Sequence, residues 1–185
     1  LVSLSMGRRE KAQLVKRHLR RLGRGAPPVF KTPKAIIHPV SRKTLRDELK
    51  STEKLGVTGD NKHILLVDYA ENTAVMDEIG RLRELTFRSV GEGTGKSKDI
   101  DQFDHYYRHL LLWDDDRLEI AGAYRLGEIW RWQGQPKTKL YSQSLFDYQP
   151  SIQPLFVQGL ELGRSFVQPQ YWGLRSLDSV SYTHL

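Results

Sequence analysis

Charge is divided so unevenly along this chain that its net value describes neither part. Residues 1–50 hold 14 Lys and Arg against 3 Asp and Glu, while the remaining 135 residues hold 15 against 19. The formal net charge of +7 is therefore the sum of a strongly basic arm and a mildly acidic body. A length of 185 residues suits one domain and is short for two. With 38% hydrophobic and 28% charged residues, the composition is that of a globular chain, which excludes wholesale disorder, collagen and a transmembrane bundle. No stretch approaches the roughly 18 uninterrupted apolar residues of a membrane span, and Leu1–Glu10 carries no readable signal peptide. The 0 Cys rule out a disulfide framework, a thiolate metal site and a cysteine nucleophile, and they fit a reducing, cytoplasmic setting.

Periodicity supplies the elements. Arg9–Leu22 places Leu14, Val15, His18, Leu19 and Leu22 on one helical face and Arg9, Lys16, Arg17, Arg20 and Arg21 toward the other, with Gly23 as the stop. Such a helix suits a solvated domain edge or an anionic membrane surface. Nucleic acid is the weaker partner, because no aromatic residue interleaves the basic ones. Gly23–Pro39, with Pro27, Pro28, Pro33 and Pro39, reads as an extended linker. A second helix is expected from Ser41 as N-cap, burying Leu45, Leu49 and Leu55 and stopping at Gly56. His63–Tyr69 reads as a compact strand, followed by a helix capped at Asn72 or Thr73 that carries Val75, Ile79, Leu82 and Thr86. His109–Trp113 and Leu118–Leu126 read as strands joined by the acidic turn Asp114–Asp116. Gly127–Pro150 reads as an aromatic-rich excursion with a β-ribbon, Leu160–Val167 as a further strand, and Gly173 as the start of a helix.

Two strings imitate catalytic motifs. Gly91–Ser97, GEGTGKS, copies the end of a phosphate-binding P-loop, but Val90 stands where the pattern needs Gly, and a helix precedes the loop where a strand should. His63 and Asp68 reproduce an H-x-x-x-x-D string. Five apart on a strand, they point to opposite faces and cannot act as a pair.

The informative residues lie between Arg83 and Arg175. Arg83 and Phe87 share a helix face at i, i+4. Asp99, Asp101 and Asp104 follow as D-x-D-x-x-D, then Arg125 in GAYRL, then Glu161 and Arg164 in ELGR. Read blandly, these are surface ion pairs, each worth about 0 to 1 kcal/mol, with Glu161 paired to Arg164. Read as a unit, they form a dense network beside a cleft that holds an amine substrate and perturbs pKa values.

The order R-x-x-x-F, D-x-D-x-x-D, G-x-x-R-L and E-x-x-R resembles the acyl-homoserine-lactone synthases and the ornithine-lipid N-acyltransferases, both of the GNAT-like acyl-CoA N-acyltransferase fold. ELGRSFV with the following Tyr-Trp-Gly looks closer to the N-acyltransferase branch, the haemolysin-like proteins. VGEGTGK…DxFDxYYRHLLLWD looks like versions fused behind a lysophospholipid acyltransferase domain. The resemblance covers roughly Lys62–Asp178. It implies an α/β fold with a mixed, largely antiparallel sheet and flanking helices, truncated at the C-terminus. Residues 1–56 would be the basic tail and linker of a preceding domain, 57–179 the N-terminal part of the transferase domain, and 180–185, VSYTHL, a non-native tail.

The resemblance further implies direct attack of an amine on an acyl thioester, with no tightly bound cofactor and no metal. Glu161 would be the catalytic base or proton relay. Arg83, Phe87, Asp99, Asp101, Asp104, Arg125 and Arg164 would form the substrate pocket. Amides near Phe166 and Val167 would meet the thioester. Gln170, Gly173 and Arg175 would stand in the donor loop, where Arg175 replaces a small residue and suits an acidic acyl carrier protein as donor in place of acyl-CoA. The expected product is a fatty amide of the ornithine-lipid type, made at or near the inner face of the membrane. The alternatives are a homoserine-lactone-type signal synthase and a non-catalytic basic module that tethers a neighbouring enzyme to membrane.

Overall fold

A computed structural model describes residues 5–30, 32–132, 138–152, 154 and 158–172. The chain divides into two compact units, Leu1–Lys34 and Ala35–Leu185.

In the first unit, helix α1 spans Arg8–Gly23. Glu10 Oε2 accepts the Gly7 amide at 2.9 Å, satisfying a donor at the helix start. The helix ends where Gly23 suggested. Gly25, at φ +66°, turns the chain back, and the Ala26 amide donates to the Arg21 carbonyl at 2.9 Å. The returning segment brings the Phe30 ring flat against His18, centroids 3.7 Å apart, and the Val29 amide donates to His18 Nδ1 at 3.2 Å. Of the expected apolar face, His18 is buried and Leu14 and Val15 are half-buried, but Leu19 and Leu22 are exposed.

The second unit is an antiparallel sheet in the order β1-β2-β3-β4-β5, formed by Glu53–Val57, His63–Asp68, Arg108–Asp114, Glu119–Glu128 and Leu160–Val167. Helices α2 (Arg42–Leu49) and α3 (Thr73–Ser89) contribute to its core. Leu45 and Leu49 of α2 and Val75, Met76, Ile79 and Leu82 of α3 meet Leu65, Val67, Leu111, Trp113, Ile120, Ala123 and Phe166 of the sheet. Ile64, Leu112, Ala121 and Tyr171 form a second, smaller cluster. An extra residue in β4, where Leu112 opposes Gly122 but Trp113 opposes Ile120, shifts the alternation. Ile120 and Ala123 can then both join the main core.

Several expectations change. The compact unit begins at Ala35, not after Gly56. The last part of the proline-rich segment is pinned there: the Ile37 amide donates to the Ser97 carbonyl at 3.0 Å and the Val40 amide to Glu78 Oε2 at 3.0 Å. The second helix stops at Leu49, and Leu55 lies on β1, exposed, because Glu53–Val57 pairs with β2 across the turn at Thr58–Lys62. The cap of α3 comes from elsewhere. Glu48 of α2 accepts the Ala74 and Val75 amides at 3.1 and 3.0 Å, while the Asn72 side chain bonds Glu48 O and Thr52 Oγ1. In place of a ribbon, the described part of 127–150 forms short 3₁₀ turns at Ile129–Trp132 and Ser142–Ser144. His63 and Asp68 sit at opposite ends of β2.

The P-loop imitation has a structural explanation. Its amides do cradle an anion, but the anion is Glu84 of α3, a fully buried carboxylate. Glu84 accepts the Thr94 amide at 2.9 Å, the Thr94 hydroxyl at 2.6 Å, the Gly95 amide at 2.9 Å and two Arg88 nitrogens at 3.0 and 2.7 Å. Burial pushes this carboxyl up, but the Thr94 and Arg88 hydrogen bonds outweigh it and hold it below its ordinary value. The loop then returns over α3 at Gly80, where a Cβ would lie 2.7 Å from Ile100 Cγ1, and the Asp99 amide donates to the Gly80 carbonyl.

Replacing Glu84 by Gln removes the charge and turns an amide NH₂ toward these donors. We expect a loss of about 2–4 kcal/mol in urea unfolding at unchanged m-value. A loss under about 0.5 kcal/mol would show that the loop does not depend on this carboxylate.

Candidate functional site

Sheet and helix converge on one buried carboxylate. Asp104, fully buried, receives Arg83 Nη1 at 3.0 and 3.3 Å, His109 Nε2 at 3.0 Å, Arg125 Nη1 at 3.5 Å and the Asp101 amide at 2.8 Å. Arg83 projects from α3, His109 from β3 and Arg125 from β4. The loop 99–107 supplies the acids. Arg83 Nη1 also donates to the Asp99 carbonyl at 3.2 Å, and Arg125 Nη1 to Asp101 Oδ1 at 2.8 Å. Asp101 Oδ1 in turn accepts the Phe103 amide at 2.8 Å, which fixes the turn that presents both acids.

Electrostatics sorts these groups. Burial alone would raise the Asp104 carboxyl, but the His109 hydrogen bond and the Arg83 charge hold it far below the usual carboxylate range. Burial lowers the His109 imidazole although Asp104 opposes the shift, so the ring is neutral near pH 7 and donates from Nε2. Asp99 is raised by burial against the opposing charge of Arg164. Three guanidiniums, of Arg83, Arg125 and Arg164, thus face three carboxylates, and the cluster approaches neutrality when all are ionised. Arg83 Nε and Nη2, Arg125 Nε and His109 Nδ1 are buried without a hydrogen-bond partner among the described residues.

Aromatic rings complete the Arg125 environment. Its guanidinium lies 5.1 Å from the Tyr107 ring centroid, 5.4 Å from Tyr141 and 5.5 Å from Phe103. Tyr107 seats this closely only because residue 127 is Gly: a Cβ there would lie 2.5 Å from Tyr107 Cε1.

Strand β5 carries a bulge. Ala123 opposes Phe166 and Arg125 opposes Gly163, which leaves one extra residue on β5, and Arg164 adopts φ +49°. The bulge aims the Arg164 side chain at α3. Its guanidinium lies 5.9 Å from the Phe87 ring centroid, and Nη1 donates to Asp99 Oδ2 at 3.1 Å. The pairing of Arg164 with Glu161, expected from ELGR, does not form: Arg164 is held by Asp99, and Glu161 by the Tyr107 hydroxyl and the Tyr141 and Ser142 amides.

Glu161 instead accepts the Tyr107 hydroxyl, the Tyr141 amide at 3.0 Å and the Ser142 amide at 2.9 Å. It makes no ion pair with Arg83, Arg125 or Arg164, and it adjoins their network through Tyr107. Burial raises its carboxyl, but the bonds from Ser142 and Tyr107 win and lower it. Glu161 is thus a clamped, ionised carboxylate beside a balanced cluster.

The structure brings together Arg83, Phe87, Asp99, Asp101, Asp104, Arg125 and Arg164. Phe166 is a core residue, and Val167 opposes Gly122. Gln170 braces the loop, its amide bonding Glu119 and Gln168, and Tyr171 is buried with its hydroxyl 2.8 Å from both Asp114 and Glu119. Gly173 and Arg175 lie outside the described residues. Sequence reasoning gave no role to His109 or Tyr107. The available signals were a His in the apolar run HLLLW and a Tyr inside the quoted string DxFDxYYRH.

Residues 82–181 match the family described as acetyltransferase (GNAT) domain. Two similar relatives bear the name glycine N(alpha)-acyltransferase. The one from Bacteroides thetaiotaomicron is 38% identical over 148 residues, 76% of this chain and 44% of that protein. The one from Phocaeicola vulgatus is 36% identical over 148 residues, 76% of this chain and 45% of that protein. A third, an L-ornithine N(alpha)-acyltransferase from Brucella abortus, is 32% identical over 111 residues, 52% of this chain and 39% of that protein. The chain thus spans somewhat under half the length of the curated relatives it matches. No solved structure matches it. With more than half of its residues inside the family match, and with the bulged antiparallel sheet and α3 gathered around the Arg and Asp cluster, the chain belongs to the acetyltransferase (GNAT) domain family.

Proposed function

We propose that this chain forms part of an N-acyltransferase that moves a fatty acyl group from an acyl thioester to the α-amino group of an amino acid. The observation that carries the reading is Glu161: an ionised carboxylate with its own set of donors, beside three Arg that are already neutralised by three Asp. That arrangement leaves one excess negative charge, which favours an ammonium group. The names of the relatives, which acylate an α-amino nitrogen, support the same acceptor class, with glycine ahead of ornithine.

In this reading the acceptor binds as the ammonium and loses a proton through Glu161 to solvent. The free amine adds to the thioester carbonyl, forming the C–N bond and an oxyanion; the oxyanion collapses with cleavage of the C–S bond, and the proton shed by the attached nitrogen passes to the departing thiolate. A carboxylate held below its ordinary pKa is a relay that passes the proton on; it does not retain it. Backbone amides at the β5 bulge, near Phe166 and Val167, face the thioester, and Gln170, Gly173 and Arg175 flank the donor. The donor is acyl carrier protein or acyl-CoA, and the product is a fatty N-acyl amino acid.

The test is a product assay by mass spectrometry on a protein of the relatives' length that contains this sequence, offered glycine or ornithine with an acyl thioester. Amide-linked product supports the reading, and acyl lactone or no transfer overturns it. In the same assay, Glu161→Gln should lower kcat by about 10²–10⁴-fold with little change in the KM for the thioester. The rise of kcat/KM with pH, which belongs to the acceptor's ammonium, should keep its position in the variant. A limb near neutrality that vanishes in Glu161→Gln would instead assign it a raised pKa and contradict the clamped carboxylate.

A further inference from the structure

Helix α1 carries a charge pattern that acyl transfer does not use. Lys16, Arg17, Arg20, Arg21 and Arg24 line one open groove of about 530 Å³. Among the described residues none of these five meets a carboxylate. The one acid of the helix, Glu10, holds the Gly7 amide, and Arg21 Nε donates to the Pro27 carbonyl. Five cations within about three turns repel one another and favour a polyanionic partner.

The opposite face narrows the choice. The returning Phe30 covers His18, yet Leu19 is 60% and Leu22 is 42% exposed. At 100° per residue these two lie about 60° apart, with Ala12 beside Leu19, and the basic wall begins at Lys16, about 60° further round. A soluble polyphosphate would satisfy the cations and leave the leucines in water. A lipid surface satisfies both, because acyl chains take up the leucines while long Lys and Arg side chains reach phosphates at the flanks. No helix among the described residues is long and apolar enough to cross a membrane, so the contact is superficial.

We propose that α1 is an interfacial helix that docks the chain on anionic phospholipid, with Leu19 and Leu22 at the acyl boundary and Lys16, Arg17, Arg20, Arg21 and Arg24 in the headgroup field. The acyl-transfer reading is not needed for this.

The test is co-flotation of the 185-residue chain with vesicles of phosphatidylcholine alone or mixed with phosphatidylglycerol. The chain should float only with the anionic vesicles and should be released by salt. R17Q/R20Q should weaken binding about 25-fold, at about five-fold per lost cation near a charged surface. L19Q/L22Q, which leaves every charge in place, should weaken it at least about ten-fold. All four replaced side chains contact solvent, and an unchanged circular dichroism spectrum verifies folding; L22S alone, with a smaller loss in the same direction, provides the milder variant. Binding that ignores the leucine variants, equal binding to neutral vesicles, no binding at all, or an acidic carrier protein that competes equally in wild type and L19Q/L22Q would each overturn the proposal.

Discussion

The candidate site depends on one carboxylate kept charged where water cannot reach it. Asp104 is tolerable in the core only because α3, β3, β4 and its own turn each send it a donor. The requirement works in both directions. Arg83 and Arg125 could not be buried without Asp104, and the loop 99–107 could not hold its turn without the two Asp that brace it. The bulge of β5 extends the arrangement by delivering Arg164 to Asp99. Helix α3 and the loop are thus located relative to the sheet by ion pairs as much as by the apolar core.

Glycines allow the close approaches that such a cluster needs. Gly80 lets the loop cross α3 so that Asp99 reaches Arg83, and Gly127 lets Tyr107 lie against β4, where it covers Arg125 and meets Glu161. Tyr107 is the joint between two electrostatic systems, a balanced ionic cluster and a carboxylate tied to the segment at Tyr141–Ser142. The burial and the Glu161 bond push the Tyr107 phenol far up, so it remains a donor under any ordinary condition. A fixed donor clamps Glu161 and keeps it anionic, which is the property an ammonium-binding site requires.

Much of this was legible in the sequence, for identifiable reasons. Strands β2 to β5 and helices α1 and α3 announced themselves by apolar period, and the Arg and Asp residues that cluster were recognisable by residue type and order. What stayed hidden was partnership at long range. Glu48 caps a helix that begins 25 positions later, at Thr73. Glu84 fills the very loop whose glycines imitate a phosphate cradle, and Glu161 turns from its neighbour Arg164 to Tyr107, 54 positions away. The misplaced end of the second helix has the same origin, since Leu55 and Gly56 become a strand only because β2 offers them a hydrogen-bonded edge. Local spacing carries propensity, whereas the choice of partner belongs to the sheet register and to the bulges that shift it.

The most direct test of the buried cluster is the titration of His109 followed by imidazole nitrogen NMR. Because burial lowers its pKa, His109 stays neutral in the folded chain while an unfolded chain takes up the proton below about pH 6.5. Its contribution to stability is therefore lost as the pH falls. The ring should show the neutral tautomer protonated at Nε2 at neutral pH and should take up its second proton only below the ordinary imidazole range. A ring that carries its proton on Nδ1 would mean that His109 does not donate to Asp104, and one that titrates at or above the ordinary imidazole value would mean that burial does not govern this site.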